Sequence, residues 1–176
     1  MKVGILAIQG GFHEHAQLLS RLGVPFKEVR SLADVEGLTG FIIPGGESTV
    51  MDAFMQKYGL KDWLMQRAED PSFTIFGTCA GLILLARYGL LDATVQRNAY
   101  GRQMDSFIAE VEVKGVGRVS GHFIRAPQVL ATGPKVELLG AHDGVPVVLR
   151  QGKVWACSFH PELAGDLALH AAIFSC

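Results

Sequence analysis

The chain has 176 residues, with 16 Lys and Arg against 17 Asp and Glu, and 49% of its residues are hydrophobic. Its length is typical of one domain, 1–176, with a core that needs no disulfide or metal to hold it, and the apolar content excludes intrinsic disorder. The balanced charge gives no basic footprint, so neither nucleic acid nor an anionic membrane surface is expected as a partner.

The cysteines and the apolar runs favour a cytoplasmic protein. Cys79, Cys157 and Cys176 are too few, and odd in number, for a disulfide framework, and their spacing matches no zinc pattern. The apolar stretch after Met1 ends at Gln9, too early for a secretion signal, and no apolar run has the length of a membrane span. We therefore expect reduced thiols and no membrane segment.

Strands alternate with helices in the first half of the chain. Short apolar segments predict strands at 2–8, 25–29, 40–43 and 73–76. Apolar residues at helical spacing predict helices at 12–22, 48–58, 60–69 and 80–88. This order predicts βαβ units and a mostly parallel sheet covered by helices on both faces.

The second half of the chain is predicted to add antiparallel strands. Residues 107–113 and parts of 118–124 alternate between apolar and polar side chains, and 145–159 is typical of a hairpin that turns at 151–152. A helix over 165–174 follows. The predicted fold is α/β, with three α/β/α layers and a flavodoxin-like, mostly parallel sheet that carries added antiparallel strands.

The segment Gly77-Thr78-Cys79-Ala80-Gly81 lies between an apolar strand and an apolar helix and has the form of a nucleophile elbow. Such a strained turn lifts Cys79 above the sheet, where the partial positive charge of a helix N-terminus favours the thiolate. The neighbouring N–H groups, including that of Ala80, are suited to holding an oxyanion. The alternative is a buried structural cysteine in a glycine-rich turn.

Of the six histidines, His160 is the best candidate for the base that a nucleophilic cysteine needs. It follows an apolar strand directly, and Glu162, which comes after a stiffening proline, is placed to orient its imidazole. Cys79, His160 and Glu162 are therefore predicted to form a catalytic triad. The other histidines are interpreted as structural or surface residues: His13 and His15 on a helix face, His122 in a strand, His142 beside a turn and His170 partly exposed on the last helix.

A second glycine turn, 44–49, follows the predicted strand at 40–43. Turns of this kind expose backbone N–H groups at a helix N-terminus, where they can bind an oxyanion or a carboxylate. The alternative is an ordinary helix N-cap by Ser48. The turn lacks the Gly-Lys-Ser/Thr of a P-loop, so a nucleoside triphosphate is not indicated.

These motifs resemble the triad class of glutamine amidotransferases and, within it, the glutaminase subunits of pyridoxal 5′-phosphate synthases. The resemblance runs nearly end to end and implies the class I glutamine amidotransferase fold. It is carried by residues 4–10, 44–49, 77–86, 97–103, 105–107, 123–127 and 158–163. The elbow and His-Pro-Glu are general to the class, whereas the segments at 44–49, 97–103 and 123–127 are particular to this subunit.

The resemblance implies hydrolysis of L-glutamine to L-glutamate through a γ-glutamyl thioester on Cys79, with His160 passing a proton to the departing ammonia. It implies that a separate synthase subunit receives the ammonia and makes pyridoxal 5′-phosphate, and that the glutaminase itself needs no metal or other cofactor. The substrate-binding residues that it implies are Gly46, Glu47, Ser48, Arg97, Ile124 and Arg125. The residues that it implies at the oxyanion site are Gln9, Gly46 and Ala80, with Gln9 also near the partner interface.

Two other functions remain open. A DJ-1/PfpI-like cysteine hydrolase would share the elbow cysteine but not the late His-Pro-Glu, and a non-catalytic regulatory subunit would keep the fold without the chemistry. The complete set of Cys79, His160 and Glu162 argues against a decayed site. Residues 87–96 form a shorter segment than the family leads us to expect, and relatives often continue beyond Cys176, two differences that bear on how a partner is held.

Overall fold

The structure, a computed structural model, describes residues 1–97 and 106–175; the motif residues 98–105 and Cys176 lie outside the described residues. The strands are β1 Val3–Leu6, β2 Phe26–Val29, β3 Gly40–Ile43, β4 Thr74–Thr78, β5 Ala93–Gln96, β6 Phe107–Val113, β7 Gly117–Phe123, β8 Gln128–Thr132, β9 Glu137–His142, β10 Val145–Gln151 and β11 Val154–Cys157. The helices are α1 Phe12–Arg21, α2 Ser48–Lys57, α3 Leu60–Arg67, α4 Ala80–Arg87 and α5 Ala168–Phe174.

Within these ranges the largest sheet has seven strands in the order β2-β1-β3-β4-β11-β10-β9. The first five are parallel to one another, β10 runs antiparallel to them, and the edge strand β9 pairs antiparallel with β10. This is the flavodoxin-like order with β11 in the fifth place, so the predicted fold class is confirmed. Sheets of this kind bind ligands at the carboxyl ends of the strands where the order reverses, here between β1 and β3.

The sheet separates two layers because its central strands are apolar on both faces. Phe41 and Ile43 pack with α2, α3 and α4 on one face, whereas Ile42 packs with α1, α5 and the β6–β7 hairpin on the other. Each of these fully buried side chains stabilises the fold by about 1.5–3 kcal/mol. No helix in the described ranges is long and apolar enough to cross a membrane.

The second half of the chain departs from the sequence prediction in three ways. β11 is not a solvent-facing hairpin strand but lies inside the sheet, parallel to β4 and antiparallel to β10. The patterns do not predict β5, β8 or β9, because these strands are half exposed and irregular in register. The last helix begins at Ala168 rather than 165, since Gly165 has φ 67 and the carboxylate of Asp166 accepts from the N–H of Ala168 at 2.8 Å.

Candidate active site

Cys79 lies at the sharp turn between β4 and α4. Its backbone has φ 48 and ψ −99, a conformation that residues other than glycine rarely adopt. The turn closes tightly, because a Cβ on Gly81 would overlap the carbonyl oxygen of Ile43 and a Cβ on Gly77 would lie 2.7 Å from the carbonyl carbon of Gly81. The N–H of Cys79 donates to the carbonyl of Cys157 at 2.9 Å, which ties the turn to the end of β11.

His160 follows β11 and is held at both its side chain and its backbone. Its Nδ1 lies 2.7 Å from Oε1 of Glu162, and its backbone pairs with that of His122 through hydrogen bonds of 2.8 and 3.1 Å. His160 is 8% exposed and Glu162 is 3% exposed. The pairing with His122, which the sequence does not reveal, fixes where the His160 imidazole stands.

The protonation of His160 is set by competing effects. Burial alone would lower its pKa, but hydrogen bonds with Cys79 and Glu162 and the negative charge of both groups raise it to about 10. His160 is therefore cationic at neutral pH. The structure brings together the three residues of the predicted triad, with the His160 imidazole between the Cys79 sulfur and the Glu162 carboxylate.

Glycines at the ends of β1 and β3 make room for this arrangement. A Cβ on Gly45 would overlap the His160 imidazole, and a Cβ on Gly11 would lie 2.8 Å from Oε1 of Glu162. Gly10 has φ 76 and packs so closely on Gly45 that a Cβ added to Gly10 would overlap the carbonyl oxygen of Gly45. The sequence shows these residues only as turn formers; their contact with the triad comes from the pairing of β1 with β3.

A cavity of about 540 Å³ opens beside Cys79 and His160. The other predicted residues that line it are Gly46, Glu47, Ser48, Ala80, Arg97, Ile124 and Arg125. It is also lined by residues that the sequence analysis does not single out as site residues: Gly10, Gly11, Glu14, Gly45, Ile83 and Leu163. Glu162 contacts His160 but does not line the cavity. Gln9 does not line it either, and its side-chain amide donates to the carbonyl of Glu47, which does.

Glu47, not Ser48, caps α2. Its carboxylate accepts from the N–H groups of Thr49 at 3.1 Å and Val50 at 2.8 Å, and it also pairs with Arg97 at 2.9 Å. These hydrogen bonds, chiefly those from the two backbone N–H groups, lower the pKa of Glu47. The expected alternative of a Ser48 cap is therefore wrong. The Ser48 hydroxyl is instead buried without a hydrogen-bond partner in the described part of the chain, although its residue lines the cavity.

Arg97 and Arg125 differ in how their charge is used. Arg97 is neutralised by Glu47 and also donates to the hydroxyl of Thr49 at 3.1 Å. Arg125 is exposed at the cavity, and within residues 1–97 and 106–175 it has no ion-pair partner. Its φ of 46 marks a strained backbone beside Ile124, whose carbonyl is 3.9 Å from the Cys79 sulfur.

Two histidines lie deeper than the sequence suggests. His15 and His170 are both 0% exposed. His15 lies on the buried face of α1 and not at the surface, and the interpretation of His170 as partly exposed is wrong. They meet because α1 and α5 cover the same face of the sheet, where Nδ1 of His15 is 2.7 Å from Nε2 of His170. Burial lowers the pKa of His15 well below its usual value and that of His170 to about 3.

The described residues contain no group of three or more His, Cys, Asp or Glu placed to hold a metal ion. Cys157 is buried, and its thiol is 3.3 Å from the carbonyl of Phe159. Burial raises the pKa of the Cys157 thiol well above its usual value, an effect that the nearby Glu162 charge reinforces. Cys157 is therefore a neutral thiol at neutral pH and is not a candidate nucleophile.

Comparisons with known proteins agree with this geometry. A solved structure described as a glutamine amidotransferase has a TM-score of 0.93 and 47% identity, covering 97% of this chain and 96% of that one. PurLQS from Thermotoga maritima shares the fold alone, with a TM-score of 0.74 at 16% identity over 98% of this chain and 96% of that one.

Comparisons of the sequence alone identify the family. A pyridoxal 5′-phosphate synthase subunit PdxT of Thermus thermophilus is 49% identical, over 96% of this chain and 93% of that protein. The SNO glutamine amidotransferase family matches residues 5–174. The resemblance inferred from the motifs is thus confirmed, and the chain belongs to the SNO glutamine amidotransferase family.

Proposed function

We propose that the chain hydrolyses L-glutamine to L-glutamate and ammonia and delivers the ammonia to the synthase subunit of a pyridoxal 5′-phosphate synthase. The observation that carries the proposal is the strained Cys79 beside His160 and Glu162 at the wall of a cavity that Arg125 also lines. Neither a DJ-1/PfpI-like hydrolase nor a non-catalytic regulatory subunit is favoured, because the family match spans 5–174 and the triad residues are complete.

The chemistry follows from the charges of the site. The Cys79 thiolate attacks the side-chain amide carbon of glutamine, and the negative charge that develops on the amide oxygen is held by backbone N–H groups, for which we propose those of Ala80 and Gly46. The His160 imidazolium gives its proton to the nitrogen, which leaves as ammonia and yields the γ-glutamyl thioester. Neutral His160 then takes a proton from water, which attacks the thioester and releases glutamate and the thiolate.

The polar groups of the cavity suit the amino-acid end of glutamine. We assign it to Gly46, Glu47, Ser48, Arg97, Ile124 and Arg125. Arg125 offers a guanidinium that is unpaired in the described part of the chain and can bind a carboxylate in a planar fork, whereas Arg97 is already paired with Glu47. The buried Ser48 hydroxyl lacks a partner among the described residues and would gain one from the substrate.

The partner is inferred from the relatives. A PdxT subunit that is 49% identical over 96% of this chain is named as part of a pyridoxal 5′-phosphate synthase. We therefore propose that residues 1–176 form one glutaminase domain that docks on a synthase subunit, with Gln9 near the interface. The reactive thiol requires a reducing compartment, and we propose the cytoplasm.

A glutaminase assay with and without a pyridoxal 5′-phosphate synthase subunit tests the proposal. With the synthase subunit present, the wild type should release glutamate, and brief mixing with glutamine should add one γ-glutamyl group to Cys79 by mass spectrometry. Cys79→Ala should abolish both signals while docking persists, and Cys157→Ala serves as the matched thiol control that keeps them. Absence of glutamate release in a complex that has formed would overturn the proposal.

The two arginines can be separated in the same assay. Arg125→Ala should raise KM for glutamine about tenfold or more with a smaller change in kcat, because it removes a hydrogen-bonded charge from the bound carboxylate. Arg97→Ala should have a smaller effect on KM, since its first role is to neutralise Glu47. Equal KM values for the wild type and Arg125→Ala would contradict the assignment of the carboxylate to Arg125.

A further inference from the structure

Behind the triad lies a group of buried polar side chains that the proposed chemistry does not use. Oε1 of Glu162 faces His160, but Oε2 is buried and makes no hydrogen bond in the described part of the chain. Nε2 of His15 is 3.7 Å from that oxygen and 3.3 Å from the hydroxyl of Thr78. Nδ1 of His15 is in turn 2.7 Å from Nε2 of His170. The contacts join α1, α5 and the triad in one chain of side chains.

The contacts of His15 favour one tautomer. A proton on Nε2 of His15 points toward a carboxylate oxygen and a hydroxyl, whereas a lone pair there would face the negative charge of Glu162. Nδ1 of His15 is then the acceptor, and His170 donates to it from Nε2. This leaves Nδ1 of His170 as a bare acceptor, which agrees with its lack of a partner among the described residues, while the opposite assignment would bury an unpaired N–H.

We propose that His15 is a positioning residue for the glutaminase reaction: its Nε2–H is directed at Oε2 of Glu162, and His170 locks it in that tautomer. The separation of 3.7 Å lies within ion-pair range and is long for a hydrogen bond, and catalytic contacts of this kind tighten when substrate binds. Fixing the second carboxylate oxygen keeps the first one directed at His160, which must face Cys79.

Neutrality is part of this role. Burial, aided by the positive charge of nearby His160, keeps the pKa of His15 well below its usual value, so His15 supplies a donor without a competing positive charge. A cationic His15 would draw Glu162 away from His160. The groups packed around His15 support the neutral form, since His170 and Phe76 contact its ring and Glu162 is already engaged by His160.

Substitutions at position 15 separate positioning from packing, given the glutaminase activity proposed above. His15→Gln keeps an N–H donor near the place of Nε2, whereas His15→Phe keeps a ring without a donor. In the complex with the synthase subunit, His15→Phe should lower kcat about 10- to 100-fold, the rate equivalent of one hydrogen bond to a charged group, with KM changed less than about twofold. His15→Gln should retain kcat within about threefold.

Two further variants complete the series. His170→Phe removes the donor that locks the tautomer and should lower kcat, by less than His15→Phe. His13→Gln, on the exposed side of the same helix, is the control and should leave kcat and KM unchanged. If His15→Phe does not fold, His15→Asn replaces it, because asparagine can still accept from His170 but is too short to reach Glu162.

The outcomes are distinct. Equal kcat values for His15→Gln and for His15→Phe or His15→Asn, or an effect confined to KM, would overturn the positioning role while the proposed function stands. A wild-type complex without glutaminase activity would overturn the proposed function and this inference with it. Nitrogen-15 NMR of the protein gives a readout independent of activity: His15 should be protonated at Nε2 and bare at Nδ1, and the reverse pattern would refute the proposed lock.

Discussion

The stability of the fold should fall in mild acid because of His170. This side chain is 0% exposed, and burial lowers its pKa to about 3 from the usual 6.5. Below pH 6.5 the unfolded chain binds a proton at this position that the native protein does not bind until about pH 3. The contribution of His170 to stability is therefore complete above pH 6.5 and is lost progressively as the pH falls toward 3.

The size of the loss follows from the shift. Each pH unit between the two pKa values costs about 1.4 kcal/mol, so His170 alone should remove about 2 kcal/mol between pH 7 and pH 5. His15, whose pKa is lowered in the same way, acts in the same direction. His160 acts in the opposite direction, because its pKa is raised to about 10 in the native state, but its contribution grows by less than about 1 kcal/mol between pH 7 and pH 5. Its stabilising contribution is complete below pH 6.5 and is lost only as the pH rises toward 10.

Urea unfolding of the wild type and His170→Gln at pH 7 and pH 5 measures this effect. His170→Gln changes the stability at both pH values, but the difference between the two pH values isolates the titration of His170. The wild type should lose about 2 kcal/mol more than His170→Gln, and His13→Gln should follow the wild type. Equal losses in the wild type and His170→Gln would refute the conclusion that a neutral, buried histidine supports α5.

Two further predictions concern packing. Gly45→Ala should lower kcat/KM at least about tenfold, because the alanine Cβ would overlap the His160 imidazole. The control is Gly89→Ala, which is strained by a positive φ but lies outside the cavity and should affect only stability. Equal kcat/KM values for Gly45→Ala and Gly89→Ala would contradict the contact between Gly45 and His160. Leu85 is fully buried on the α4 face of the sheet, so Leu85→Ala should lower the free energy of unfolding in urea by about 3 kcal/mol. Leu130 is 55% exposed, so Leu130→Ala should lower it by less than about 0.5 kcal/mol.

The parallel half of the fold could be predicted because each of its strands is a continuous apolar run. Strands such as β3 and β4 are buried on both faces, so their sequences need no partner to be recognised. β5 and β8 are half exposed and pair only with each other in the described part of the chain, across a register shift, so their short mixed sequences carry little signal. For β11 the hairpin with β10 could be predicted because the two strands are adjacent in the sequence. Its parallel pairing with β4 could not be predicted, because β4 is distant in the sequence.

In the candidate site, too, residues in local sequence motifs could be predicted, whereas contacts between distant parts of the chain could not. Cys79, His160 and Glu162 could be found because each stands in a short motif at the end of a strand. The partners of these residues could not be found in this way, since His122 meets His160 across two separate strand ends and His15 meets His170 across 155 positions of the chain. Amphipathic patterns assign a histidine on a helix to the surface by default, and only the packing of α1 beside α5 reverses that assignment.

The order of the sheet explains why the glycines and the buried histidines occur together. Placing β1 beside β3 brings Gly10 and Gly11 against Gly45, and the absence of side chains there lets the His160 imidazole and the Glu162 carboxylate enter between the strand ends. A carboxylate in that position is cut off from water and needs donors from the protein. Nε2 of His15 on α1 lies 3.7 Å from the second oxygen of that carboxylate, and Nδ1 of the same ring contacts His170 of α5, in keeping with the proposed role of His15. The close packing that positions His160 thus also creates the need for a second layer of polar side chains behind Glu162.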